Sequence, residues 1–232
     1  MPDGQASSTQ AARPGRRGRP GYDLESLLAV AVTVFNERGY DGTSMEDLSR
    51  RLGISKSSIY YHVDSKEQLL ALALDRALDG LFSVADKVLA AGLIQAIERL
   101  ELLVRGSVRV LAEQVPFVTL LLRARGNTGT EQRALARRRE FDRIVADLVE
   151  QAERDGDIRP DVDPAITARL LFGLVNSLVE WYRPERPDAA GTPDAAGLAD
   201  AVCAVAFDGL RVRRTEAAVS VPAELSVRAA AR

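Results

Sequence analysis

Apolar residues recur at helical spacing through almost the whole chain from Tyr22 onward, and this periodicity limits the fold more than any other feature. No run alternates with a period of two for long enough to predict a strand. In the first segment the apolar residues share one helix face, which stops before Gly39. That face consists of Leu24, Leu27, Leu28, Ala31, Val34 and Phe35. The chain is therefore predicted to be all-α.

Capping residues, glycines and prolines divide the periodic region into about nine helices. After Gly39, Thr43 and Glu46 have the spacing of a capping box for a second helix, which Gly53 ends. Ser55 can cap a short third helix, and residues 64–68 begin a long fourth one. Asp163 followed by Pro164 is a firm start signal. The later helices are predicted at about 94–114, 116–124, 130–154, 164–182 and 194–214.

The pattern predicts two folded domains between two unstructured ends. A basic, low-complexity arm covers residues 1–21, and a small helical domain covers 22–66. A larger helical domain covers 67–214, and an unstructured tail covers 215–232.

The chain has 232 residues, enough to bury a proper core. It shows no signal-peptide pattern and no apolar run near the roughly 20 residues that a membrane span needs. Its single cysteine, Cys203, is compatible with the cytosol. We therefore expect a cytoplasmic protein without a membrane partner. The net charge of −2 is unevenly spread, because residues 48–62 contain three basic side chains and no acidic one.

The two short helices around Gly53 and Ile54 form a candidate helix-turn-helix. The glycine permits a tight turn, Ile54 fills the angle between the helices, and Ser49 is small enough to let them approach. Ile59 and Val63 would hold the second helix to the body. Its other face would then meet the major groove of DNA.

Roles on that face follow from chemistry and position. Ser57 and Ser58, at the start of the helix, are placed for base edges. Phosphate contacts are predicted for Lys56, Tyr60, Tyr61, His62 and Lys66. Thr43 and Ser44 open the preceding helix, where free backbone N–H groups favour an anion. Two alternatives stay open: Tyr60 could be a core residue, and His62 could only complement a helix dipole.

The segment from Leu24 to Leu70 resembles the DNA-binding domain of TetR-family regulators, and the matching residues are "FNERGYDGTSMEDLSRRLGISKSSIYYHVDSKEQLL". The matching features are the Phe35 to Tyr40 run, Thr43-Ser44, Gly53-x-Ser55-Lys56, Ile59-Tyr60-x-His62 and Ser65-Lys66-Glu67. The resemblance implies an N-terminal helix-turn-helix head, a C-terminal ligand-binding and dimerisation domain, and a homodimer on a palindromic double-stranded operator.

The arm contains Arg-Gly-Arg-Pro at residues 17–20 and resembles an AT-hook. In such elements arginines lie along a narrow minor groove, which predicts DNA contacts for Arg17 and Arg19. The alternative is a solubilising tail.

Two features of the larger domain allow both a functional and a structural interpretation. Apolar stripes on the last two helices suit a dimer interface or the chain's own core. The stripes are Ile166, Leu170, Leu174, Leu178 and Trp181, followed by Leu198, Val202, Val205 and Leu210. Residues 123–143 hold seven arginines against three acids, which suits either a solvated face or an anion site.

The larger domain is similar to TetR-type regulators of acyl-CoA metabolism, especially those of phenylacetate degradation, whose effector is phenylacetyl-CoA. That resemblance implies an apolar slot for the acyl group and cations for the phosphates. Candidates for the slot are Phe117, Leu121, Phe141, Phe172, Asn176 and Trp181. Candidates for the phosphates are Arg123, Arg125, Arg133 and Arg137. For each apolar residue, core packing is the alternative.

Two other classes of protein compete with a ligand-released repressor as interpretations of the sequence. An enzyme finds no support, because the sequence has no metal-ligand spacing and no glycine-rich phosphate loop, and no cofactor is expected. An architectural DNA-binding protein without an effector, or a TetR-type regulator with an unrelated hydrophobic ligand, remains as an alternative.

Overall fold

The computed structural model describes residues 23–92, 95–183 and 193–208. Within these ranges it contains nine α-helices, a short π-helical segment and no strand, so the all-α prediction is confirmed. The predicted arm, with Arg17 and Arg19, and the predicted tail lie outside the described residues. The helices are α1 (Leu24–Arg38), α2 (Met45–Leu52), α3 (Lys56–Tyr60), α4 (Lys66–Ala90), α5 (Ala96–Glu113), α6 (Val115–Arg123), α7 (Gly129–Arg154), α8 (Pro164–Trp181) and α9 (Ala195–Cys203).

The chain divides into two compact units, and the boundary between Ala73 and Leu74 falls inside α4. In the N-terminal unit, α1 begins at Asp23, whose carboxylate accepts a hydrogen bond from the Ser26 N–H at 2.8 Å. Helix α2 packs against α1 and α3. The core of this unit buries its apolar side chains almost completely. Its central members are Leu27, Phe35, Leu48, Ile59, Val63 and Leu69.

The start of α2 differs from the predicted capping box by one residue. Ser44, not Thr43, is the N-cap: its hydroxyl accepts from the Asp47 N–H at 3.2 Å. The Asp47 carboxylate accepts from the Ser44 N–H at 2.9 Å, the role predicted for Glu46. Thr43 is buried, and its hydroxyl donates to the Gly39 carbonyl at 2.8 Å. The Thr43–Glu46 box was therefore wrong.

In the C-terminal unit, α5 packs against α7, α8 and α9, and α7 packs against α8. Helix α7 begins with a capping box made by Thr128 and Glu131. Helix α8 begins as predicted, with the Asp163 carboxylate accepting from the N–H groups of Ala165 and Ile166 at 2.9 and 3.1 Å. These two capped starts fix the first turns of α7 and α8, the helix pair that borders the apolar cleft described below.

The last predicted helix, 194–214, is present as α9 and continues as a π-helical segment, Ala204–Asp208. Leu198 and Val202 are buried, whereas Val205 is 43% exposed. Leu210 lies outside the described residues. On α8, Leu178 is buried, but Ile166, Leu170 and Trp181 are 50%, 68% and 56% exposed.

Candidate functional site

The turn between α2 and α3 is held by one side chain and one glycine. Gly53 has a φ of +67°, the left-handed conformation that glycine adopts without steric cost. The Ser49 hydroxyl donates to the Ile54 carbonyl at 2.5 Å, and the Ile54 N–H donates back to the Ser49 carbonyl at 3.3 Å. The small serine therefore bonds across the turn as well as allowing close approach.

Helix α3 separates a buried face from an exposed one as the sequence predicted. Ile59 is fully buried, and Val63 just after the helix is 2% exposed. Tyr60 and Tyr61 are 49% and 86% exposed, so Tyr60 is not a core residue in this chain. His62 is half-buried, and its ring meets the edge of Tyr61 at 5.2 Å between centroids.

Three serine hydroxyls form a network at the start of α3. Ser55 caps the helix by accepting from the Ser58 N–H at 3.1 Å. Its oxygen also lies 2.8 Å from the hydroxyl oxygens of both Ser57 and Ser58. The two serines predicted to contact bases are exposed, and they share their hydrogen bonds with the cap. A base contact would therefore compete with, or extend, this network.

Lys56 forms an ion pair with Glu46 across the turn. The hydrogen bond to Glu46 raises the pKa of the Lys56 ammonium, and the charge of that carboxylate adds to the effect. Both side chains are about half exposed. Lys56 therefore stays protonated at neutral pH, and Glu46 cancels part of its charge on this surface.

Lys66 and the residues before α2 are bound within the N-terminal unit. Lys66 is half-buried, and its ammonium donates to the carbonyls of Tyr40 and Thr43. The Thr43 hydroxyl is used by Gly39, and the exposed Ser44 serves as the N-cap. The predicted DNA contacts of Thr43, Ser44 and Lys66 stay predictions, and each residue also has a structural role.

The C-terminal unit contains an apolar cleft bordered by α4 to α8. Its interior holds only about 30 Å³, roughly one water molecule, and the space between its walls reaches about 450 Å³ when the open mouth is counted. Eight aliphatic and aromatic side chains form most of its wall, with polar groups from Ser107, Arg138, Asp142 and Asn176. The apolar lining residues are Leu81, Leu111, Val118, Leu121, Leu122, Phe141, Phe172 and Val175.

A wider basic groove, about 1060 Å³ with its open part, lies between α7 and α8. It shares Arg138, Asp142, Phe172 and Asn176 with the cleft, so it begins at the cleft's mouth. Four arginines and one acid line it. The arginines are Arg138, Arg139, Arg143 and Arg169. The surrounding protein removes water from Asp142 and so raises the pKa of its carboxyl, against the opposing charges of Arg138 and Arg169.

Four of the six predicted slot residues line this cleft, and two lie elsewhere. Leu121, Phe141, Phe172 and Asn176 are in the lining. The Phe141 ring contacts Phe172 edge-on, with centroids 5.3 Å apart. Phe117 is buried under the Arg76 guanidinium, 4.6 Å from its ring centre, and Trp181 is exposed.

None of the four predicted phosphate-binding arginines lines the cleft or the groove. Arg137 donates to Asp75 and Asp79 of α4 at 2.8 and 2.7 Å. Arg133 donates to the Thr130 hydroxyl at 2.8 Å, and Arg123 and Arg125 are exposed. The groove arginines were missed, although the spacing of Arg138 to the buried Phe141 and Val145 places all three on one face of α7.

The described ranges contain no group of histidine, cysteine, aspartate and glutamate that could hold a metal ion. Among their helices, none combines the length and the apolar character required to cross a membrane.

Comparison with known proteins agrees with both units. Residues 27–73 match the sequence model described as "Bacterial regulatory proteins, tetR family", and residues 94–210 match "Tetracyclin repressor-like, C-terminal domain". SCO3833 of Streptomyces coelicolor A3, a TetR-family regulator, is 56% identical, with 82% of this chain and 92% of that chain covered and a TM-score of 0.74.

Two further relatives carry functional names. The HTH-type transcriptional repressor KstR2 of Rhodococcus jostii RHA1 is 29% identical over 83% of this chain and 93% of its own length. The crystal structure of AibR in complex with isovaleryl coenzyme A and operator DNA is 26% identical. It has a TM-score of 0.64, with 79% of this chain and 97% of that chain covered.

Proposed function

Because the chain belongs to the TetR family of bacterial transcriptional regulators, which are DNA-binding proteins and not enzymes, we propose that it is a repressor released from its operator by an acyl-CoA thioester. The observation that carries the proposal is the shared border of the apolar cleft and the basic groove. An acyl-CoA has one apolar end and one phosphate-rich end, and the two surfaces match them in order.

The DNA-binding part of the proposal rests on α3. Its exposed face carries Lys56, Ser57, Ser58 and Tyr60 and no acidic side chain, while Ile59 holds its other face in the core. In a helix-turn-helix the second helix lies in the major groove. A protein that works on the chromosome acts in the cytoplasm of a bacterium, where we expect this one.

The homodimer rests on exposed apolar side chains of the last helices. Ile166, Leu170 and Trp181 lie along α8 with at least half of their surface exposed, and Val205 follows α9. Large apolar side chains gathered on one surface mark an interaction site. A two-fold dimer would place two copies of α3 about 34–36 Å apart, on the half-sites of a palindrome.

The ligand assignment rests on charge and shape. Arginine forks bind phosphate in two-pronged geometry, and four of them gather in the groove against one carboxylate. The cleft offers the acyl group an apolar wall, with Phe141 and Phe172 well placed beside an aromatic acyl group such as that of phenylacetyl-CoA. The AibR complex with isovaleryl coenzyme A supports the same class of ligand.

Release from DNA is proposed to follow from a population shift, in which the ligand favours a conformation with lower operator affinity. Arg138 at the cleft mouth is adjacent in sequence to Arg137, which is bound to Asp75 and Asp79 of α4. Helix α4 supplies residues to both units. A change in α7 can therefore reach the helix that leads into the DNA-binding unit.

The test is a competition experiment on an operator selected from random duplexes. Fluorescence anisotropy follows release of the DNA by phenylacetyl-CoA, isovaleryl-CoA, free coenzyme A and the two free acids. We expect release by the thioesters and not by the acids. A double variant, Arg143→Gln with Arg169→Gln, should need at least tenfold more thioester for the same release of DNA.

The matched control, Arg125→Gln with Arg133→Gln, removes two arginines outside the groove and should behave as the unaltered protein. Equal action of acid and thioester, or equal loss in both double variants, would contradict the proposal.

A further inference from the structure

The apolar cleft contains one buried hydroxyl that has no partner in the described part of the chain. Ser107 of α5 is 1% exposed and lines the cleft beside Leu81, Leu111 and Phe141. Its hydroxyl makes no hydrogen bond to the described residues. A buried hydroxyl without a partner destabilises the site that contains it.

Three other helical hydroxyls in the described ranges are satisfied within their own helices, in contrast to that of Ser107. Thr33, Thr119 and Ser177 donate to main-chain carbonyls of their own helices at 3.0, 2.7 and 2.7 Å. The same bond would be open to a serine within α5, yet Ser107, which lines the cleft, does not make it. A polar atom of the ligand is then the partner that would complete it.

We infer that Ser107 is a specificity-determining residue, which hydrogen bonds to a neutral oxygen carried by the acyl group of the effector. This inference rests on the proposed function and adds to it a class of acyl group: a hydroxyacyl or ketoacyl thioester instead of a plain hydrocarbon one. A hydroxyl pairs with either kind of oxygen, because it can donate and accept.

The acyl-group oxygen that Ser107 would bind is distinct from the carbonyl oxygen of the thioester, because the two lie at different positions in the cleft. Ser107 lines the cleft but not the basic groove, because it is not among the four residues that the two share. The thioester joins the acyl group to the phosphate-bearing part, so it lies at the shared border, where Arg138 and Asn176 offer donors. Ser107 therefore meets an atom farther along the acyl chain.

The part of the cleft that the basic groove does not share also disfavours a charged acyl end. Its other lining residues, among them Leu81, Leu111 and Val118, carry no charge, and burying an unpaired carboxylate is far costlier than burying a hydroxyl or ketone. A thioester with a second, free carboxylate should bind poorly.

The experiment compares matched thioesters by isothermal titration calorimetry. Hexanoyl-CoA is set against its 3-hydroxy, 3-oxo and 5-oxo derivatives and against adipoyl-CoA, which ends in a carboxylate. In the unaltered protein we expect at least one oxygenated derivative to bind about 5- to 150-fold more tightly than hexanoyl-CoA, and adipoyl-CoA to bind least. In Ser107→Ala that preference should fall to near one, with hexanoyl-CoA bound as well as before or better.

The control is Thr119→Val, which removes a helical hydroxyl that already has a carbonyl partner and does not line the cleft. The Thr119→Val protein should keep the preference for the oxygenated thioester over hexanoyl-CoA. The melting temperature of ligand-free Ser107→Ala should not fall, because the hydroxyl makes no bond there to lose. An equal loss for every thioester, or a preference that survives in Ser107→Ala, would overturn the inference.

A failure of the proposed function gives a separate result. If no thioester binds, the same proteins are titrated with 4-phenylbutan-2-one and butylbenzene, which differ by a ketone and carry no phosphate. A thermal shift that favours the ketone in the unaltered protein, and not in Ser107→Ala, would retain the role of Ser107 while the acyl-CoA assignment fails. Equal shifts for the two compounds would overturn both.

Discussion

The ammonium of Lys66 lies 2.8 Å from the carbonyl oxygen of Tyr40 and 4.1 Å from the centre of the Tyr40 ring. A second hydrogen bond of 2.8 Å reaches the carbonyl of Thr43. The first residue of α4 therefore holds the turn that precedes α2. The sequence alone suggested only a phosphate contact for this lysine.

Replacing Lys66 with methionine should loosen that turn. Hydrogen bonds from a charged donor contribute about 1.5–3 kcal/mol each, so the loss should be of this order or larger. We expect faster amide hydrogen exchange at residues 40–44 and weaker operator binding, measured by mass spectrometry and anisotropy. A lysine that only touches phosphate would instead lower the salt slope of binding by about one and leave exchange unchanged.

Replacing Glu46 with glutamine should tighten DNA binding. The change removes the carboxylate that pairs with Lys56 and leaves the α2 cap intact, because the cap uses Asp47. The freed ammonium and the lower negative charge both favour phosphate, an effect that salt screens. We expect several-fold higher affinity at 50 mM salt and little difference at 300 mM. Weaker binding at low salt would show that Glu46 itself contacts the DNA.

The N-cap of α2 can be tested by three alanine substitutions. Ser44→Ala removes the hydroxyl that accepts from the Asp47 N–H and should cost about 1 kcal/mol of unfolding free energy. Asp47→Ala should destabilise in the same direction, and Glu46→Ala should not. Urea unfolding followed by circular dichroism measures all three. Loss of stability in Glu46→Ala alone would restore the predicted box.

The position of that cap shows where local pattern stops deciding structure. Thr43 and Ser44 are both good N-caps, and Glu46 and Asp47 can each complete a box, so the sequence allows two solutions one residue apart. The choice is made by tertiary contacts: Thr43 is buried, and its hydroxyl is taken by Gly39. By contrast, the buried positions of α3 and the start of α8 could be predicted from the sequence. In each case the residue pattern is compatible with a single register of the helix.

The lining of the apolar cleft and the basic groove was less predictable for a related reason. Arg137 and Arg138 are neighbours in the sequence but about 100° apart around α7, so one meets α4 and the other lines the cleft. The density of arginines in the sequence therefore identifies the basic segment of α7, but not which face of the helix each arginine occupies. Arg169 comes from α8, and only the packing of α8 against α7 brings it to the same groove.

Replacing Gly106 with alanine should strain the packing of α5 on α4. A Cβ atom there would lie 2.4 Å from a methyl carbon of Val84, and a β-branched side chain has little freedom to move away. Overpacking of this kind costs about 1–3 kcal/mol. The matched control is Gly173→Ala on α8, where a Cβ would meet nothing within 4 Å. It should stabilise slightly, because alanine favours helix. Thermal unfolding of the two variants should therefore shift in opposite directions.

Replacing Asp142 with asparagine should strengthen binding of an anionic ligand in the basic groove. Partial loss of water raises the pKa of this carboxyl in the folded protein, so the native state takes up a proton more readily than the unfolded chain. Its charge therefore disfavours folding at neutral pH, and this effect is relieved as pH falls through the raised pKa. The same charge repels phosphate beside Arg138 and Arg169.

The expected result is a ratio of affinities that depends on pH. At pH 7.5 Asp142→Asn should bind a thioester several-fold more tightly than the unaltered protein, and the ratio should fall towards one as pH falls through the raised pKa and Asp142 becomes neutral. Titration of the ligand's own phosphate near pH 6 affects both proteins equally and cancels in the ratio. Asp147→Asn, an exposed acid of α7 outside the groove, serves as the control and should show a ratio near one throughout. A ratio that stays constant with pH would mean that Asp142 does not titrate in this range, and a ratio below one would mean that it contacts the ligand as an acceptor.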